Sequence, residues 1–217
     1  MVKKSLSSLS DNIKFSTQAE ESKSDILFKP TSMRILYLAA NPQQLPCLDL
    51  EEELRELNIE LRGVRHRGAV KLNTVYATRP DDLVRYVREY NPNIIHFSGH
   101  GSEAGIVLRT ESGQNINIDG RRLQQFLSKR GVDLVVLNSC YSQAQAEIIG
   151  DAVSAVVGIT DAIDDEAARR FSIAFYRSLG EGLTIRDAFR DAVDSTILSG
   201  FPDIFFQTGQ LDLTFVS

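Results

Sequence analysis

Short, almost unbroken apolar runs alternate with amphipathic helical stretches from Met33 onward, and this alternation limits the fold more than any other feature. The runs are RILYLAA (34–40), VKLNTVYA (70–77), NIIHF (93–97), VDLVVLNSC (132–140) and AVVGI (155–159). Between them lie stretches of helical period. In DLEEELRELNIELRG (49–63), Leu50, Leu54, Leu57 and Leu61 share one face and Gly63 follows as a stop. Thr78, Pro80 and Asp81 start DDLVRYVREY, which Pro92 breaks, and Asp119 caps RRLQQFLSKRG. A helix follows Cys140 to about Asp151, and two more span 165–179 and 184–198. Strands apolar on both sides, separated by helices, form a mostly parallel sheet covered on both faces, an α/β class. Active groups of such sheets collect at the carboxyl ends of the strands.

One segment departs from the alternation. GIVLR (105–109) and NINID (115–119) flank a Glu-Ser-Gly-Gln turn and predict a β-hairpin inserted after Gly101. The tail FPDIFFQTGQLDLTFVS is expected to add one more strand. Residues 1–32 are serine-rich and charged, with Leu6, Leu9 and Ile13 at helical spacing, and predict a flexible tail or linker ahead of one domain over 33–217. The basic start MVKK has no apolar run behind it, so no signal peptide is expected, and no stretch is apolar enough to cross a membrane. A net charge of -5 gives no reason to expect nucleic acid or an anionic membrane as partner. Two cysteines far apart, Cys47 and Cys140, do not make a disulfide framework, and the expected compartment is the cytoplasm.

Two strands end in reactive chemistry. The third runs into HFSGHG, which puts His96, His100 and Gly101 at the rim, and the fourth ends in LNSC with Cys140. If these strands are neighbours, His100 and Cys140 face each other. A thiol becomes a nucleophile only as a thiolate, which an imidazole and the amino end of the following helix both favour. Gly101 has no Cβ, so its N–H can approach a developing oxyanion, with the Cys140 N–H as second donor. Each residue alone has a plainer reading, since a cysteine ending a buried strand is usually inert core. His96 reads as a structural histidine beneath the site, because no carboxylate or cysteine cluster completes a metal site with His100. His66 reads as surface, and Cys47 as a bystander in a proline-containing loop. Asp161, Asp164, Asp165 and Glu166 follow the fifth strand and suit a helix's first turn.

"IIHFSGHG" and "VVLNSCYS" together closely resemble the histidine and cysteine blocks of the CHAT peptidases, relatives of caspases and separase. The later stretch "VVGITDAIDDEAARRFSIAFYRSLGEGLTIRDAFRDA" resembles that family's following block, so the likeness runs from about Met33 to Asp191. It implies a caspase-like three-layer α/β/α sandwich and a cysteine endopeptidase without cofactors. Its catalytic pair would be His100 and Cys140, and its oxyanion donors Gly101 and Cys140. It further implies a specific protein substrate, an activating sensor partner and a role in bacterial antiphage defence or regulated cell death. Related peptidases that prefer Arg or Lys place a carboxylate after the fifth strand; Asp165 matches that position best and Asp161 next. A non-catalytic caspase-like scaffold is the alternative, but it would be expected to lack the pair present here. A nucleotide-binding domain would need a glycine-rich turn after the first strand, where this chain has AANPQQLP.

Overall fold

The computed structural model describes residues 32–42 and 45–217, so the tail expected before the domain lies outside the described residues except for Ser32. In chain order the elements are β1 (Met33–Ala40), α1 (Leu50–Gly63), β2 (Val70–Val75), α2 (Pro80–Tyr90) and β3 (Ile94–Gly99). Then come β4 (Gly101–Ser102), β5 (Gly105–Arg109), β6 (Asn115–Ile118), α3 (Gly120–Leu127) and β7 (Leu134–Asn138). The chain closes with α4 (Gln143–Ile149), β8 (Ala155–Ile159), α5 (Asp165–Gly180), α6 (Ile185–Leu198) and β9 (Phe205–Gly209).

The central sheet has the order β2-β1-β3-β7-β8-β9. Its first five strands are parallel, and β9, supplied by the tail, runs antiparallel to β8. Successive side chains of a strand point to opposite faces, so an apolar strand needs a cover on each. Ile35, Tyr37 and Ala39 of β1 pack with Leu54 and Leu57 of α1, Phe171 and Phe175 of α5, and Ala188 of α6. Leu36, Leu38 and Ala40 pack on the other face with α2, α3 and α4 through Leu83, Leu123 and Ile149. The result is the three-layer α/β/α sandwich expected. Each fully buried Leu or Phe contributes about 1.5–3 kcal/mol. Phe205 fastens the antiparallel edge by stacking on Phe171 at a centroid distance of 4.1 Å.

Local chemistry sets the helix starts. Asp49, Asp119 and Thr184 each accept a hydrogen bond from the backbone N–H three residues on. Thr78 plays another part than a helix start: its hydroxyl is buried and donates to Ala39 O and Val75 O, while Arg79 stands at the cap and donates its N–H to the Asp82 carboxylate. Helix α1 runs through Gly63 to a cap at Val64 instead of stopping before the glycine. The hairpin forms as expected and gains a third strand, the two-residue β4, too short to leave a period in the sequence. Strand β7 is shorter at both ends than its apolar run. Ser139, Cys140 and Tyr141 therefore form a turn, with Tyr141 at φ 53 in the left-handed region, before α4 begins at Gln143.

Candidate active site

The register of the sheet brings the two strand ends together. Ser98 of β3 lies directly opposite Asn138 of β7, and His100 and Cys140 each follow two residues later. Two glycines let the chain around His100 press against its neighbours. A Cβ on Gly99 would lie 2.5 Å from Ala40 O, and one on Gly101 would lie 2.6 Å from Cys140 O. His100 Nε2 is 2.8 Å from the Pro46 carbonyl, in the loop between β1 and α1. A carbonyl only accepts, so Nε2 carries a hydrogen, and in the neutral ring Nδ1 is then the nitrogen with the lone pair. Cys140 is a half-buried free thiol. A cavity of about 210 Å³ is lined by Pro46, Asp49, Glu53, His100, Cys140 and Asp165, among others. A wider cleft beside it, about 520 Å³ and lined by Cys47, Asp49 and Tyr76, contains neither His100 nor Cys140.

The acidic cluster after β8 divides by function. Asp164 caps α5, its carboxylate accepting the Glu166 N–H at 2.8 Å, and Glu166 binds Arg170 at 2.7 Å. Asp161 stands outside the cavity lining; it accepts the Ala162 N–H at 2.7 Å, and its charge pushes the Tyr141 phenol up. Asp165 lines the cavity. Partial burial, then the Asp164 and Asp49 carboxylates, raise its carboxyl above the ordinary aspartate range, while the Asp49 backbone and His100 pull the other way. Cys47 is exposed beside Asn41, which donates to its sulfur at 3.3 Å. His66 is partly exposed, and its backbone N–H donates to Gly180 O.

Below the cavity lies a buried polar cluster whose centre, Glu53, was not anticipated. Glu53 is 4% exposed. Its Oε2 accepts from Tyr37 OH at 2.7 Å and Ser98 Oγ at 2.5 Å, and its Oε1 accepts from Asn138 Nδ2 at 2.9 Å. His96 Nε2 stands 3.5 Å from Oε1, too far for a good hydrogen bond. The other His96 nitrogen meets the Tyr176 hydroxyl at 3.1 Å, and the ring stacks on Tyr37 at 4.8 Å. His96 is thus buried within the protein, with one ring nitrogen bonded to Tyr176 and Nε2 left without a hydrogen-bond partner. Burial alone would raise the Glu53 carboxyl; His96, Ser98 and Tyr37 outweigh it and hold Glu53 below the usual glutamate value. Burial first and the Glu53 charge second push the Tyr37 phenol well up. A signal for Glu53 existed: it lies three residues after Leu50 and four before Leu57, an acid on the apolar stripe of α1.

A family model described as CHAT domain matches residues 4–200. A curated relative from an unknown prokaryotic organism, named Roc-COR-CHAT protease, is 25% identical over 180 residues. The match takes in 78% of this chain, and the chain spans only 17% of that relative's length. Among solved structures, caspase-1 from Spodoptera frugiperda superposes with a TM-score of 0.56 at 11% identity, over 87% of this chain and 93% of that one. An inactive zymogen C11 protease from Parabacteroides distasonis gives 0.54 at 12% identity, over 83% and 63%. A secreted C11 cysteine protease from Bacteroides thetaiotaomicron, solved with an irreversible peptide inhibitor, gives 0.51 at 10% identity, over 77% and 58%. At these identities the solved structures share the fold, which is caspase-like.

Proposed function

Since the chain belongs to the CHAT domain family, we propose that it is a cysteine endopeptidase in which His100 and Cys140 cut a specific protein. The observation that carries this reading is the tethering of His100 Nε2 to Pro46, within the cavity that Cys140 also lines. With Nε2 protonated, Nδ1 is the nitrogen that takes the Cys140 proton. The thiolate then attacks the scissile carbonyl carbon and forms a C–S bond. The oxygen that gains the negative charge accepts from the Gly101 and Cys140 N–H groups. Collapse breaks the C–N bond; the leaving amine takes the proton from His100, and an acyl-thioester remains on Cys140. Water, deprotonated by His100, attacks that thioester, releases the carboxylate product and returns the thiol.

The residue before the cut is Arg or Lys in this reading, with Arg favoured. Asp165 receives it and Asp161 stands second. Support comes from the place of Asp165 in the cavity lining and from the two further carboxylates there, Asp49 and Glu53. A guanidinium pairs with a carboxylate through two parallel hydrogen bonds, which an ammonium cannot do. The relative is a much longer protease, which supports a proteolytic module governed by other parts of a larger assembly. In this reading a sensor or regulatory partner governs it, and it acts in the cytoplasm as an effector of antiphage defence or cell death. No helix among the described residues is long and apolar enough to cross a membrane. Fluorogenic peptides varied at the residue before the cut, together with proteins encoded beside the gene, test the proposal. Cleavage after Arg or Lys is expected; an inert Cys140 and no cleaved peptide or protein would overturn it.

A further inference from the structure

We infer that Glu53 is the positioning residue of the dyad, a buried carboxylate that fixes the strand carrying His100, the strand carrying Cys140 and the loop holding the imidazole in one arrangement. The inference rests on the dyad reading above and adds a residue to it. Three parts of the site converge on this side chain. Ser98, two residues before His100, donates to Oε2, and Asn138, two residues before Cys140, donates to Oε1. Ser98 and Asn138 are themselves opposite one another in the sheet, so one carboxylate spans the β3–β7 junction where the reactive residues diverge from it. The third part is the backbone of Glu53 itself: α1 begins at Leu50, four residues after Pro46, whose carbonyl orients His100. Fixing α1 against β3 and β7 therefore fixes that carbonyl against both strand ends.

The second tier holds the first. Tyr37 of β1 donates to Oε2, and His96 lies between Tyr37, Glu53 and Tyr176 of α5. Asn138 Nδ2 also reaches Ser172 Oγ of α5 at 3.2 Å. Because Glu53 only accepts, Nδ2 of Asn138 must face it, and the amide orientation is set. A core position of the same volume would be filled more simply by leucine, since a buried carboxylate carries a large desolvation cost. What a leucine would not supply is a single point bonded to β1, β3 and β7 together.

The test uses Glu53→Gln and the milder Ser98→Ala, which removes one bond and no charge. Two readouts are taken on each folded variant: the kcat and KM split on an Arg peptide, and the rate of Cys140 alkylation by iodoacetamide at neutral pH, which needs no substrate. Glu53→Gln is expected to lower kcat on the order of a hundredfold, as a displacement near 1 Å does, with KM changed far less. Alkylation of Cys140 should slow with it, and Ser98→Ala should move both in the same direction by less. If Glu53→Gln does not fold, Ser98→Ala alone decides. Alkylation sensitive to His100→Ala but untouched by Glu53→Gln, or by Ser98→Ala where that variant decides, overturns the inference and leaves the dyad standing. Alkylation insensitive to His100→Ala overturns the dyad, and the inference with it.

Discussion

Gly101→Ala changes one methyl group at the point where the two strand ends meet. The new Cβ would lie 2.6 Å from Cys140 O and 2.8 Å from Ser139 Cβ. Ordinary contact begins at 3.4 Å, so the Cys140 carbonyl must give way by 0.8 Å. Neither neighbour is the free end of a flexible side chain, so the strain falls on the backbone that carries Cys140. Overpacking of this kind costs about 1–3 kcal/mol of stability. A shift near 1 Å at reacting groups costs on the order of a hundredfold in rate. Activity should therefore fall far more than stability does. Urea unfolding and kcat/KM on an Arg peptide, measured on the same preparation, check both. Gly63→Ala is the control: nothing lies within 4 Å of its Cβ, and it should leave activity unchanged. Wild-type turnover by Gly101→Ala would refute the close approach of the two strand ends as the basis of the site.

Asp165→Ala should lower kcat/KM on Arg peptides by about tenfold or more, the worth of a charged hydrogen bond, with little effect on unfolding, whereas Asp161→Ala should do much less. Because the Asp165 carboxyl sits above its ordinary range, activity on Arg peptides should begin to fall, on acidification, at a higher pH than an ordinary aspartate would set, and a preference for Asp or an apolar residue would refute the acidic pocket. Glu53 is held below its usual value in the folded chain, so its contribution is complete above that usual value and is lost as pH falls through the depressed one. Thermal unfolding should accordingly weaken more steeply below about pH 4 in the wild type than in Glu53→Gln, and parallel curves would count against an ionised Glu53. Tyr37→Phe removes a 2.7 Å bond to that carboxylate and should cost about 1.5–3 kcal/mol in urea unfolding; no loss would mean the bond is made elsewhere.

Much of this architecture was legible in the chain because its cause is local. Apolar runs such as Ala155–Ile159 appear as strands with the bounds their residues suggest, and Asp119 and Thr184 cap as their side chains require. The sequence leaves the pairing of β3 with β7 conditional, because the β4–β6 hairpin and α3 lie between them; the fold makes them neighbours, with Ser98 opposite Asn138. Glu53 was obscured by its neighbours: Glu51, Glu52 and Glu53 together look like the acidic first turn that favours any helix start. Only the tertiary arrangement separates the one that turns inward. The same holds for the acidic cluster, where Asp164 and Asp165 are chemically alike and adjacent. Backbone geometry makes one a cap and leaves the other at the cavity. The Pro46 carbonyl could not be anticipated at all, since a backbone oxygen leaves no mark in the residue type.

The central claim is that His100 and Cys140 act as one unit, and a double-mutant cycle on peptide hydrolysis tests it most directly. His100→Ala and Cys140→Ala should each bring turnover to background while the fold survives, and the double variant should be no worse than either, because each change disables the same step. Iodoacetamide should label Cys140 in preference to Cys47 in the wild type and lose that preference in His100→Ala. Substantial turnover by either single variant, or losses that add in the double variant, would contradict the dyad.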